Sequence, residues 1–107
     1  MTKEQKREAL LALERGCQIA HEYINCEGKT CAIGALAKRA NVSRDELEKD
    51  NKECITVRGL IAETILIRYG ISRKHQQTIQ RINDENDNVE DRTEAVMRYV
   101  NNLPTED

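Results

Sequence analysis

Thr30-Cys31-Ala32-Ile33-Gly34-Ala35-Leu36-Ala37-Lys38-Arg39-Ala40-Asn41-Val42-Ser43-Arg44-Asp45-Glu46-Leu47 holds two helix starts and the turn between them. Thr30 can act as an N-cap, because a hydroxyl before a helical run accepts one of the backbone N–H groups that the first turn leaves unpaired. Ile33, Leu36 and Ala40 then share one face, and Gly34 with the alanines allows a neighbouring helix to approach closely. The second start is sharper. Ser43 and Glu46 have the spacing of a capping box, and Val42 and Leu47 stand where a hydrophobic staple would close. Two helices in eighteen residues, joined by a tight turn, predict a helical protein.

The pattern continues on both sides. Leu10, Leu13, Cys17, Ala20 and Ile24 recur every three or four residues and predict a first helix from about Lys3 to Ile24. Asn25-Cys26-Glu27-Gly28-Lys29 interrupts it as a loop. The helix begun at Ser43 is short and acidic and ends near Asp50-Asn51-Lys52. Thr56 to Tyr69 reads as a central helix with Val57, Leu60, Ile61, Ile65 and Leu66 inward, apolar around much of its circumference and so expected to be the most buried element. Gly70 suits the position just past a helix end, with Ile71 folding back on the last turn. Ser72 can cap a helix bearing His75, Ile79 and Ile82. The all-polar run Asn83-Asp84-Glu85-Asn86-Asp87-Asn88 reads as a loop, with the Asn83-Asp84 pair stopping one helix and Asn88 capping the next. The last helix carries Val96, Tyr99, Val100 and Leu103 and stops at Pro104. The expectation is a single domain over residues 1–107: an all-α, compact bundle of five or six short helices.

Composition sets the function classes. The 107 residues suit one domain with one modest core. The chain is 34% charged with a mean hydropathy of −0.73, and it has no Trp, no Phe and three Tyr. Leu, Ile, Val, Ala and Cys must therefore build the interior, and few aromatic rings remain for a ligand pocket or for stacking bases. The start, Met1-Thr2-Lys3-Glu4-Gln5-Lys6, is polar, and no apolar run is long enough for a signal peptide or a membrane span. This predicts a cytoplasmic protein with no membrane partner, in which four cysteines are thiols or metal ligands rather than disulfides. Net charge is −2, but it is uneven: Arg58 to Arg81 carries a balance of +4, and Asp84 to Asp107 one of −6. Solvated faces explain such a split, and so does self-complementary association.

Five constellations approach known chemistry. Gly28-Lys29-Thr30 matches the end of a phosphate loop, but Tyr23 stands where the leading glycine belongs and the preceding segment reads as helix, not strand. Residues 35–50 have helix-turn-helix spacing, yet the would-be reading helix offers Asp45, Glu46, Glu48 and Asp50 against Arg44 and Lys49, which phosphates on either side of a groove would repel. Cys17, His21, Cys26 and Cys31 are four candidate zinc ligands within fifteen residues, without the spacing of a common knuckle. Asp84, Asn86 and Asn88 fill the first positions of a calcium loop, but the turn glycine is Val89 and the bidentate glutamate is Ala95. Finally, Cys31 at a helix start beside Lys29 is a candidate reactive thiol, since the helix dipole and the amine both favour thiolate. It lacks an evident base: nothing in the sequence brings His21 or His75 to it, and a nucleophile needs one.

Gly28…Cys31-Ala32-Ile33-Gly34-Ala35-Leu36, Tyr69-Gly70-Ile71-Ser72 and Ile82-Asn83-Asp84 together resemble a loose group of small helical proteins of bacteria and phages. In that group a Cys-x-x-Gly-Ala-Leu helix start precedes a Gly-Leu/Ile-Ser break and an Asn-Asp pair. The resemblance spans roughly Gly28 to Val100; after Asn83-Asp84 an acidic insert replaces the group's usual glycine-containing turn. It implies a prokaryotic or phage cytosolic setting and a helical fold, and it carries over no activity. The expectation is a non-enzymatic protein without a cofactor, acting through contacts with another protein and with itself as a homo-oligomer, in the simplest case a homodimer. Nucleic-acid binding through residues 35–50 and a Cys/His metal or reactive-thiol protein are the alternatives.

Overall fold

A computed structural model describes residues 1–51 and 59–106 of the chain. Six helices lie among them: α1 (Lys3–Glu14), α2 (Ala32–Arg39), α3 (Arg44–Asp50), α4 (Gly59–Tyr69), α5 (Arg73–Glu85) and α6 (Val89–Asn101). The protein is a small all-α bundle. α6 packs along α5 and α1, and α2 packs against α1, α4 and α5.

The helix starts follow local chemistry. The hydroxyls of Thr2, Ser43 and Ser72 and the amide oxygen of Asn88 each accept the N–H three residues on. Thr2 and Gln5 also form a reciprocal capping box, whose Thr-Lys-Glu-Gln signature is overshadowed in the sequence by the stronger Ser43 signal. Val42 and Leu47 are both buried in the core, as a staple requires.

α1 is shorter than its apolar stripe predicts. It ends at Glu14 because Gly16 turns the chain and lets α2 close in: a Cβ on Gly16 would collide with Ala35 Cβ. Cys17 and Ile24 are buried all the same, carried by an irregular segment rather than a helix. That segment folds back on itself. The N–H groups of Gln18 and Ile19 donate to the carbonyl of Thr30, and Ile24 bridges Thr30. The Thr30 hydroxyl donates to the Gly16 carbonyl at 2.9 Å. Thr30 is thus committed to the loop, and the N-cap of α2 falls one residue later than predicted, on Cys31.

α2 is the most buried helix, with every residue from Ala32 to Ala37 inside. Apolar content alone points instead to the helix ending at Tyr69. α4 buries Ile61, Ala62, Ile65 and Tyr69, but Leu60 and Leu66, predicted inward, are exposed, and Ile67 is 71% exposed. The difference comes from side-chain size. Alanine and glycine let α2 be enclosed by α1, α4, α5 and the loop, and a Cβ on Gly34 would strike the Tyr23 carbonyl. The close neighbour at Gly34 is therefore a loop backbone, not the helix expected there. Thr56 and Val57, like Cys54, lie outside the described residues. Two tyrosines also enter the core: Tyr23 and Tyr69 are both buried, and the Tyr69 hydroxyl donates to the Leu36 carbonyl at 2.7 Å.

α4 stops at Gly70, which has φ of 67°, and Ile71 folds into the core. α5 then runs through Asn83 and Asp84 and ends at Glu85, so the Asn83-Asp84 pair sits inside a helix rather than stopping one.

Candidate functional site

Asn83 explains why α5 continues. Within the last turn of the helix, its side chain points inward and is fully buried. Its Oδ1 accepts the N–H of Ala32, the first residue of α2, at 3.0 Å; its Nδ2 donates to the carbonyl of Ile19 at 3.0 Å and to Asp84 Oδ1 at 3.1 Å. Next to it, the Cys31 sulfur accepts the N–H of Gly34 at 3.4 Å. Cys31 and Asn83, side chains far apart in sequence, thus satisfy two N–H groups at the start of α2. The two short motifs, Cys31…Gly34-Ala35 and Asn83-Asp84, meet at one point.

From there a chain of polar side chains leads outward. The Cys31 thiol faces Gln80 Oε1 at 3.9 Å, and Gln80 Nε2 donates to Asp84 Oδ2 at 3.0 Å. Asp84 Oδ1 accepts the backbone N–H of His21 at 2.9 Å, and its Oδ2 lies 4.0 Å from His21 Nδ1. His21 has φ of 69°, a left-handed backbone that an L-residue adopts only when its surroundings hold it there, and the Asp84 contact supplies that hold. His21 and Asp84 stand at one end of an open cleft of about 620 Å³ along α5. Nothing in the sequence signals that His21 joins the network of Cys31, because the link runs through Gln80, a residue type that marks no chemistry by itself.

Behind this network sits Arg92 of α6. Its guanidinium is buried and donates to the carbonyls of Asn83 at 3.0 Å and Asn86 at 2.9 Å and reaches that of Cys17 at 3.5 Å. It therefore caps the C-terminal end of α5, where a cation meets the negative end of the helix dipole. Cys17 lies in the same region, and burial pushes its thiol up to about 12, with the Arg92 charge acting in the opposite sense. Its sulfur contacts the carbonyl of Leu13 at 3.5 Å.

The predicted site residues divide accordingly. Cys17 and Cys31 are buried, Cys26 is exposed, and His21 is exposed beside Asp84. Among the described residues, no three His, Cys, Asp or Glu side chains gather closely enough to hold a metal ion. Cys31, the candidate reactive thiol, has no solvent exposure, and its sulfur serves as the helix cap. The phosphate-loop resemblance of Gly28-Lys29-Thr30 resolves into a turn organised by Asn25, whose Oδ1 accepts the N–H groups of Glu27 and Lys29. The Gly28 N–H bonds to the Asn25 carbonyl, so these amides point into the turn rather than at an anion. The calcium-loop positions also serve the fold: Asp84 binds His21, Asn86 Nδ2 donates to the Ile82 carbonyl, and Asn88 caps α6.

The helix-turn-helix spacing is carried by α2, the turn at Asn41 (φ 71°) and α3. α3 has only seven residues, and Arg44 is held by Glu48 and by the carbonyls of Asn25 and Cys26. Asn51, just past α3, carries a role that sequence reasoning missed. Its side chain accepts the N–H groups of Tyr23 and Ile24 and donates to the Ile24 carbonyl, pairing with the loop as a strand would. His75 meets the expectation of a core-edge residue: it is half-buried on α5, its Nδ1 2.6 Å from the Tyr99 hydroxyl.

No family model matches this chain, and no curated protein or solved structure matches it either. Among the described residues, no helix is long and apolar enough to cross a membrane.

Proposed function

We propose that this chain is a non-enzymatic interaction domain whose partner is a protein. The observation that carries the reading is the outer face of α4. Leu60 and Ile67 are two turns apart on one side of the helix and are 53% and 71% exposed, with Leu66 flanking them. Large aliphatic side chains at helical spacing on an outer face are what a partner helix or groove would bury, at about 1.5–3 kcal/mol for each side chain fully covered. The polar network is consistent with this reading: Cys31, Asn83 and Arg92 are occupied in holding α2, α5 and the intervening loop together, which is structural work. The acidic α3 and its restrained Arg44 favour a protein over a nucleic acid. The reading includes a cytoplasmic bacterial or phage setting, carried from the sequence resemblance, and no cofactor.

Paired affinity capture tests it, with the wild-type chain and Ile67→Glu as baits in cells that express the protein. A partner held at stoichiometric amounts by the wild type and lost by the variant supports the reading. Equal retention on both baits removes α4 as the contact face. A chain that captures nothing and stays monomeric in light scattering at every salt concentration removes the reading itself.

A further inference from the structure

α5 presents a second outer face with a different chemistry. Lys74, Thr78, Arg81 and Glu85 are separated by four, three and four residues, so they fall in one sector of about 60° along the whole helix. All four line the open cleft of about 620 Å³ that ends at His21 and Asp84. Arg81 and Glu85 are both about two-thirds exposed and lie 3.9 Å apart. Among the described residues, Lys74 makes no ion pair.

The order of these charges is the informative point. The positive end of a helix dipole is at its N-terminus, so an isolated helix gains from acids in its first turn and bases in its last. α5 has no acid in its first turn and no base in its last; instead Arg73 and Lys74 open it, and Asp84 and Glu85 close it. Asp84 is explained by its bonds to His21, Gln80 and Asn83. Among the described residues Lys74 makes no ion pair and Glu85 pairs only with the exposed Arg81, a contact worth little, so their placement at the two helix ends still works against α5. It becomes favourable if a second α5 lies alongside, running the other way.

We infer that a second copy of this chain docks along the α5 cleft in antiparallel register, with Lys74 of each copy opposite Glu85 of the other and Thr78 opposite Arg81. This inference goes beyond the α4 reading above: it concerns a second face, on α5, and names a second copy of the chain as its partner. A two-fold axis passing between residues 79 and 80 generates all four pairings at once, as an isologous interface requires. The same operation sets the two helix dipoles antiparallel. It also places each lysine at the negative end of the neighbouring helix and each Glu85 at the positive end. The uneven charge along the chain, positive before Arg81 and negative after Asp84, has the same self-complementary sense. Exposed ion pairs contribute little each, so the dimer is weak and sensitive to salt.

Sedimentation of the full chain over a concentration series, at low and high salt, tests this. The wild type is expected to form a dimer that dissociates as salt rises. Lys74→Glu and Glu85→Lys, both exposed changes, each set like charges opposite one another and are expected to weaken the dimer by about tenfold. Mixing the two variants in equal amounts restores both opposite-charge pairs in a heterodimer, which is expected to assemble about as well as the wild type. Circular dichroism confirms that each variant remains helical. A wild type that is monomeric at every concentration in low salt overturns the inference and leaves a different protein as the partner of α4. A dimer indifferent to both charge reversals but lost on Ile67→Glu also overturns it, and places the second copy on α4. Variants that fail to assemble when mixed overturn the pairing in the same way.

Discussion

Asn83 holds Ala32: its side-chain Oδ1 accepts the first N–H of α2 at 3.0 Å, while its Nδ2 donates to the Ile19 carbonyl at 3.0 Å. One amide thereby joins α5, α2 and the loop between α1 and α2. Replacing it by Ala leaves a buried N–H and a half-buried carbonyl without this partner, the buried group costing about 1–3 kcal/mol and the other less. Asn83→Ala is therefore expected to lose about 2–4 kcal/mol of unfolding free energy in urea titration. A loss below about 0.5 kcal/mol, the range of an ordinary surface change, would show that water or a backbone shift replaces both bonds.

Arg92 makes the second lock, and its shape matters as much as its charge. The guanidinium spans the carbonyls of Asn83, Asn86 and Cys17. Lysine keeps the charge but concentrates its donors at one point, so it cannot reach across the same arc. Arg92→Lys is expected to cost about 1–3 kcal/mol and Arg92→Met at least as much, since both leave carbonyls of the last turn of α5 unpaired. Thermal melts of the two variants decide this. A lysine variant that melts with the wild type would mean that the charge alone serves.

These two locks show where the sequence is readable and where it is not. Ser43, Ser72 and Asn88 cap helices as expected, because capping is settled within four residues of chain. The apolar stripe from Leu10 to Ile24 correctly marks Leu13, Cys17 and Ile24 for the core but misjudges how the chain carries them there. Gly16 turns the chain because Ala35 lies against it, and that neighbour is nineteen positions away. Asn83-Asp84 misleads for the same reason. In isolation an Asn-Asp pair favours a turn, because its side chains compete for nearby backbone; here both side chains are taken by Ala32, Ile19 and His21, and the helix continues. α4 errs in the opposite sense: Leu60 and Leu66 look like core residues at helical spacing, and only the enclosure of α2 by its small side chains leaves α4 at the edge.

Cys31 gives a prediction that separates a cap from a nucleophile. Its sulfur accepts the Gly34 N–H, a task that a serine hydroxyl also performs and an alanine does not. Cys31→Ser is expected to stay closer to the wild type than Cys31→Ala, which loses the cap at about 1 kcal/mol. Native-state alkylation read by mass spectrometry is expected to label Cys26 ahead of Cys17 and Cys31, because only Cys26 of the three is exposed. Labelling of Cys31 as fast as Cys26 would contradict its burial and revive the reactive-thiol reading.

Stability should fall at alkaline pH, and Cys17 should lead the fall. Burial raises the Cys17 thiol from 9.0 to about 12 and the Tyr69 hydroxyl from 10.0 to about 12. In both cases the folded state holds the proton more tightly than the unfolded chain. The unfolded chain therefore ionises first, binds fewer protons, and becomes relatively more stable as pH rises. The contribution of each group is complete below its unfolded value and drains away as pH climbs toward about 12. A tenfold difference in proton affinity between the two states corresponds to about 1.4 kcal/mol. Urea titrations from pH 7 to 11 are expected to show a decline beginning near pH 9 in the wild type. In Cys17→Ala the share of that decline which Cys17 supplies is lost, leaving a shallower slope to which Tyr69 adds above pH 10. Replacing Tyr69 by Phe should flatten the later part of the slope, at the cost of the hydroxyl bond to the Leu36 carbonyl, which keeps the Ala40 N–H. A slope unchanged in Cys17→Ala would mean that the Cys17 thiol ionises in the folded protein much as it does in the unfolded chain.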